Sequence, residues 1–61
     1  MERTYADIEL HDDGTITYWS VVHRQWRRER PSWIPVQDLA AMRDEERERI
    51  REYAAQHGER I

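Results

Sequence analysis

Few residues of this chain have types and spacing that could carry chemistry. His11, Asp12 and Asp13 are adjacent and could suggest metal ligands or a His-Asp hydrolase pair. A catalytic metal site, however, needs three or more converging ligands with hydrogen-bonded support behind them. A polar hairpin tip is the simpler interpretation of this cluster. The sequence therefore predicts no metal site and no cofactor.

Motifs for a nucleophile or a bound phosphate are also missing. Ser20 and Ser32 are the only serines and lie in no nucleophile motif, and two glycines are too few for a phosphate-binding loop. The chain has no cysteine, which excludes disulfides and thiolate zinc sites. With 61 residues, a pocket that excludes water would consume most of the core. We therefore predict that the protein is not an enzyme.

A basic cluster around one tryptophan is a candidate for binding nucleic acid. Arginine forks hold phosphate and aromatic faces stack on bases, so this hypothesis rests on Arg24, Trp26, Arg27, Arg28 and Arg30. Against it, Glu29 interrupts the cluster, the formal net charge is −3, and no known nucleic-acid-binding motif is present. The alternative is a solvated turn whose arginines pair with acidic residues of the helical region.

The elements that position these residues begin with a β-hairpin at about residues 4–22. Residues 4–10 alternate in polarity, Asp13-Gly14 favours a tight turn, and residues 15–22 are rich in β-branched and aromatic types. A two-residue turn at Asp13-Gly14 would pair Ile8 with Trp19, Ala6 with Val21, and Leu10 with Thr17. This register predicts that Trp19 lies in the core beneath the helical region.

A connector rich in Arg and Trp follows at residues 23–36. Its first part, residues 23–30, could be strand or helix, and its last part, residues 33–36, is predicted to be extended, with a short third strand possible.

The helical region covers about residues 37–57, and residues 43–49 within it are all charged. Two alternatives stay open: one unbroken helix, or a break near Arg43 with Asp44 capping a second helix. The predicted fold class is α+β: an N-terminal antiparallel β-hairpin, with or without a third strand, packed against one C-terminal helix or a broken pair. We expect a single domain of residues 1–61.

The aromatic residues give the strongest indication of function. The hairpin has apolar residues on both faces, whereas the helical region can cover only one of them. We predict that the second face binds another protein or a second copy of this chain, because aromatic residues and arginine are enriched at binding hot spots. The predicted contact residues are Tyr5, Ile16, Tyr18, Val22, Trp26 and Trp33. The alternative is that residues 23–36 fold back and cover this face.

In small size, lack of catalytic motifs and highly charged helix, the chain is similar to many small phage or mobile-element accessory proteins. That similarity implies a protein that binds and modulates a host protein. No apolar run approaches the ~20 residues of a membrane span and no signal peptide is recognisable, so the predicted location is cytoplasmic, without membrane contact. Whether the chain is a monomer, a homodimer or a small subunit of a larger assembly stays open.

Overall fold

A computed structural model describes residues 8–60. It contains a three-stranded antiparallel sheet in the order β1-β2-β3, and its strands are β1 at Glu9–Leu10, β2 at Ile16–Ser20 and β3 at Gln25–Glu29. A 3-10 helix at Pro31–Trp33, helix α1 at Val36–Ala40 and helix α2 at Asp44–Gln56 follow. This arrangement confirms the predicted α+β class. Between residues 8 and 60, no helix is both long and apolar enough to span a lipid bilayer.

The hairpin between β1 and β2 differs from the predicted one by a single residue. Leu10 pairs with Ile16 rather than with Thr17. The N–H of His11 donates to the carbonyl of Thr15 at 3.0 Å, so the loop has three residues instead of two. A slip of one residue turns every side chain of a strand to the opposite face of the sheet. The predicted register, and the facing that it implied, are therefore wrong.

Gly14 explains why the longer loop forms. It is the last of the three loop residues and has a φ of 91°, in the left-handed region that a glycine adopts without steric cost. Its N–H donates to the Tyr53 hydroxyl at 3.1 Å. A Cβ at this position would lie 3.4 Å from the ring of His57. The loop is thus shaped partly by contacts with α2, more than thirty residues further along the chain.

The core lies between the sheet and the helices. Ile16 and Tyr18 of β2 are fully buried, and the alternating Thr17 and Trp19 are only half-buried. Trp19 therefore does not lie beneath the helices as predicted, because the shifted register gives the core positions to its neighbours. The buried hydrophobic cluster comprises Ile8, Ile16, Tyr18, Ile34, Met42, Ile50 and Tyr53, with Leu39 packed against it.

The third strand is formed by residues 25–29, within the segment whose conformation the sequence left open. β3 pairs with the whole of β2, from Ile16 opposite Glu29 to Ser20 opposite Gln25. Residues 33–36 do not form a strand. Pro31 begins the 3-10 helix, where its missing N–H leaves no hydrogen bond unmade.

The helical region is broken, which confirms one of the two alternatives. The guanidinium of Arg47 in α2 reaches back to the carbonyls of Leu39 and Met42, so it satisfies acceptors that the end of α1 leaves open. Asp44 is the first residue of α2 and pairs with Arg47, and Arg43 occupies the cap position before it. The break therefore lies where it was predicted, but Asp44 is not the cap.

Candidate functional site

One face of the sheet is turned away from the helices, and we call it the outer face. Residues directly opposite each other on neighbouring strands share a face, and the register pairs Thr17 with Arg28 and Trp19 with Trp26. His11 joins them, since its Nε2 lies 2.7 Å from the Thr17 hydroxyl oxygen. The outer face thus combines aromatic, hydroxyl, imidazole and guanidinium groups.

Trp19 and Trp26 form the aromatic centre of the outer face. Their ring centroids are 5.5 Å apart and their planes cross at 78°, an edge-to-face arrangement that contributes about 0.5–1.5 kcal/mol beyond the area it buries. Trp26 is 37% exposed. This pair was not predicted from the sequence, although a four-residue turn at residues 21–24 is compatible with the spacing of the two tryptophans and would place them opposite each other.

The turn between β2 and β3 continues this surface. Val21 and Val22 are 46% and 48% exposed, a large fraction for two adjacent branched apolar side chains. The N–H of Arg24 closes the turn on the carbonyl of Ser20 at 2.8 Å, and Arg24 has a φ of 58°. Positive φ is uncommon for residues other than glycine and costs about 1–2 kcal/mol. We call the set Trp19, Val21, Val22, Arg24 and Trp26 the turn-end surface.

A buried carboxylate in α1 holds the turn in place. Asp38 is 1% exposed and accepts hydrogen bonds from the Ser20 hydroxyl at 2.7 Å and from the N–H groups of Val21 at 2.8 Å and Val22 at 3.1 Å. Ser20 in turn accepts from the N–H of His23 at 3.1 Å. Because these bonds fix four consecutive residues, the turn-end surface is organised before any partner arrives.

The residues predicted to bind a partner lie in different environments of the structure. Ile16 and Tyr18 are wrong as contact residues, because both are 0% exposed and belong to the core. Tyr5 lies outside the described residues. Val22 and Trp26 are on the turn-end surface. Trp33 is 68% exposed but belongs to the 3-10 helix, which packs against α2.

Tyr18 shows how completely the predicted contact face is enclosed. Its hydroxyl is buried and has no hydrogen-bond partner among residues 8–60. Burial raises the pKa of this hydroxyl, and the carboxylates of Asp38 and Glu29 raise it further. From the connector, Ile34 packs into the same cluster. A partner therefore cannot reach Tyr18 without opening the core.

The basic cluster does not form one continuous surface. Arg28 lies on the outer face and pairs with Asp13 at 3.1 Å, whereas Arg27 lies opposite Tyr18 on the helix side and pairs with Glu29 at 3.0 Å. Arg30 pairs with Glu59, beyond the end of α2, at 2.9 Å. Within residues 8–60 no carboxylate pairs with Arg24. The predicted pairing with acidic residues of the helical region is therefore not found for these three arginines: Glu59 follows α2, and the other two pairs are formed within the sheet and its loops.

Three of these groups have shifted pKa values, each with a local cause. The hydroxyl and then the N–H of Thr15 hold the pKa of Asp13 at about 2, with a smaller effect from Arg28. The Ser32 hydroxyl and then Arg30 lower the pKa of Glu59. A hydrogen bond to Glu29 raises the pKa of Arg27. All three pKa shifts come from local hydrogen bonds and ion pairs, so none of them indicates a reactive group.

A groove between β1 and α2 is lined by Leu10, Arg49, Glu52, Tyr53 and Gln56. It is open to solvent and has a volume of about 170 Å³. Small-molecule sites usually enclose ~300–1,000 Å³, so this groove is too small for most metabolites. In the described part of the chain no three acidic or histidine side chains converge as a metal site would require.

The strained backbone at Arg24 gives a first testable prediction. We expect Arg24→Gly to raise the free energy of unfolding by about 0.5–1 kcal/mol, because glycine adopts positive φ without the Cβ clash but adds freedom to the unfolded chain. Urea denaturation followed by circular dichroism measures this change. Arg28→Gly, at an extended strand position, should instead lose stability. If Arg24→Gly also loses stability, the side chain of Arg24 stabilises the fold.

Comparison with known proteins finds no matching family model, no matching curated protein and no matching solved structure.

Proposed function

We propose that this chain is a non-enzymatic protein-interaction module that binds its partner through the turn-end surface. The observation that carries the proposal is the Trp19–Trp26 pair, which lies on the sheet face that the helices leave uncovered. Tryptophan and arginine are the residue types most enriched at binding hot spots. The adjacent exposed Val21 and Val22 extend the apolar area.

Preorganisation supports the same proposal. The hydrogen bonds from Ser20, Val21 and Val22 to Asp38 order the turn in the free protein. A partner then loses less free energy to ordering of this loop when it binds. Arg24 stays in a strained conformation and has no carboxylate partner among the described residues, which is consistent with a side chain kept for an intermolecular contact.

The experiment is affinity capture from an extract of the source cells, quantified by mass spectrometry. We expect Trp26→Ala to reduce retention of the specific partner at least tenfold, as truncation of a hot-spot tryptophan typically does. Trp33→Ala removes an equally large and more exposed side chain from the 3-10 helix and serves as the matched control. It should retain the partner as the wild type does.

A folding control accompanies this capture. Trp26→Ala should lower the free energy of unfolding by only about 1 kcal/mol, because the ring is partly exposed and loses mainly its edge-to-face contact. Equal retention by wild type and by a folded Trp26→Ala variant would refute the proposal. A greater loss of partner retention with Trp33→Ala than with Trp26→Ala would show that the partner contacts the 3-10 helix instead.

Nucleic-acid binding through the arginine cluster is supported less well. Arg27 and Arg28 lie on opposite sides of the sheet and Arg30 lies beyond β3, so these arginines do not form one basic surface along which a phosphate backbone could bind. A cytoplasmic location and an accessory role of the phage or mobile-element type, in which a host protein is bound and modulated, remain predictions from the sequence. Identification of the captured partner tests both.

A further inference from the structure

The outer edge of β3 is the second unusual feature of the sheet. β3 is the last strand in the order β1-β2-β3, and among the described strands only β2 pairs with it. An edge strand directs the N–H and C=O groups of alternate residues away from the sheet, where another strand can bind them. All five residues of β3 are exposed or half-buried. Within residues 8–60, no strand occupies the outer edge of β3.

The charge of this edge is opposite in sign to that of the whole chain. Residues 24–30 carry four arginines and one glutamate, a formal charge of +3, whereas the chain carries −3. Arg27 projects on the helix side of the sheet and Arg28 on the outer face. Guanidinium groups thus flank the edge on both sides. A strand with carboxylates at two consecutive positions could pair with both, since opposite charges on directly facing residues stabilise a strand pair.

The same arginines disfavour a second copy of this chain at the edge. In the one antiparallel register that pairs all five residues of β3 with those of a second copy, Arg27 faces Arg27. Like charges on facing residues destabilise strand pairing, and the two segments of charge +3 also repel each other. Charge at an edge strand is a common protection against self-association. Here the charges of Arg27 and Arg28 disfavour pairing with β3 of a second copy and favour pairing with acidic strands.

The existing ion pairs of the edge do not prevent such binding. Arg28 and Asp13 are both more than half exposed, and an exposed ion pair contributes only about 0–1 kcal/mol, so an incoming carboxylate can replace Asp13. Arg27 and Glu29 are less exposed, but their hydrogen bond uses one guanidinium nitrogen of Arg27, and its other N–H groups can donate to a second carboxylate. The backbone of an extended peptide also matches the N–H and C=O groups of the edge, which the phosphate backbone of a nucleic acid does not.

We propose that β3 binds an extended acidic segment of a partner protein, which joins the sheet as a fourth strand. This inference rests on the proposed interaction function and specifies the class of partner. Backbone hydrogen bonds supply affinity, and pairing with Arg27 and Arg28 supplies selectivity, as in other cases of strand addition. Trp26 and the turn-end surface lie beside the added strand.

The test uses the full chain and a capped synthetic peptide of sequence Thr-Val-Glu-Glu-Val-Thr at low ionic strength. Two-dimensional NMR with ¹⁵N labelling should show chemical-shift changes and slower amide exchange at residues 25–29. The same peptide with lysines in place of the glutamates should bind at least tenfold more weakly. An analogue with alternate backbone amides methylated keeps its charge but loses donors, and it should also bind at least tenfold more weakly.

Charge reversal provides the matching variants. Arg27→Glu/Arg28→Glu should abolish binding of the acidic peptide and gain binding of the lysine peptide. Arg51→Glu/Arg60→Glu makes the same change of charge at exposed positions elsewhere and should leave the acidic peptide bound. Arg27→Gln/Arg28→Gln, a milder change, covers the case in which charge reversal disturbs the fold. It should weaken binding of the acidic peptide without creating affinity for the lysine peptide.

Several outcomes would overturn the proposal. They are equal binding of the methylated analogue, equal binding of the lysine peptide, stronger shifts at β3 with single-stranded DNA than with the acidic peptide, or self-association through β3 detected by sedimentation. If Trp26→Ala abolishes capture of the cellular partner while no acidic peptide engages β3, the interaction function stands and strand addition fails. If the acidic peptide binds β3 but Trp26→Ala does not reduce capture of the cellular partner, strand addition stands and the proposed binding through the turn-end surface is wrong.

Discussion

Asp38→Ala is expected to unfold this protein or leave it barely folded. The carboxylate of Asp38 is 1% exposed and accepts three hydrogen bonds, so its removal leaves the Ser20 hydroxyl and two backbone N–H groups without their acceptor. A buried donor left without a partner costs about 1–3 kcal/mol, which applies in full to the Ser20 hydroxyl, and the two partly buried N–H groups add a smaller penalty each. We expect a total loss of about 3 kcal/mol. The whole stability of a chain this size is roughly 3–9 kcal/mol.

Chemical denaturation followed by circular dichroism measures this loss. Asp38→Asn keeps one carbonyl acceptor and should lie between wild type and Asp38→Ala. Glu52→Ala removes an exposed carboxylate from α2 and is the matched control, for which we expect a change of less than about 0.5 kcal/mol. A mild effect of Asp38→Ala, similar to that of Glu52→Ala, would show that the turn does not depend on this carboxylate.

Tyr18→Ala is expected to be about as damaging, but for a different reason. Tyr18 is the largest fully buried side chain in the described structure, and truncation of a buried aromatic ring typically costs about 3–5 kcal/mol through lost burial and the cavity left behind. The Tyr18→Ala variant should therefore lose most of its far-ultraviolet circular dichroism signal, or its melting temperature should fall sharply. Had Tyr18 been a surface contact residue, the spectrum would be unchanged.

Tyr18→Phe separates the ring from the hydroxyl. Because the hydroxyl is buried without a hydrogen-bond partner among residues 8–60, removing it should leave the stability unchanged or raise it by about 1 kcal/mol. The same denaturation experiment compares the two variants. A loss of more than about 1 kcal/mol in Tyr18→Phe would mean that the hydroxyl does form a stabilising contact.

The error in the predicted contact face can be traced to β2. Its sequence from Ile16 to Ser20 places apolar or aromatic residues on both faces, so either facing gives a plausible core. The two-residue turn that Asp13-Gly14 favours led to prediction of the wrong buried face of β2. The loop is longer by one residue because Gly14 also binds the Tyr53 hydroxyl and packs against His57. Local turn preference could not anticipate contacts made by α2.

The candidate site was predicted only in part for the same reason. Val22 and Trp26 were predicted as protein contacts and Arg24 as a nucleic-acid contact, and all three lie on the turn-end surface. Trp19 was assigned to the core, although its pairing with Trp26 depends only on a four-residue turn that the spacing allows. The role of Asp38 was not predicted, because its hydrogen bonds join positions 16 to 18 residues apart.

The sequence by itself determined the α+β class, the order of a hairpin before helices, and the place where the helical region can break. These follow from residue periodicity, turn residues and a run of charge, which act over a few neighbours. Only the tertiary structure decided which face of β2 is buried, that residues 25–29 become an edge strand, and that Asp38 supports the turn between β2 and β3. Those features depend on contacts between distant segments, which local sequence preferences do not specify.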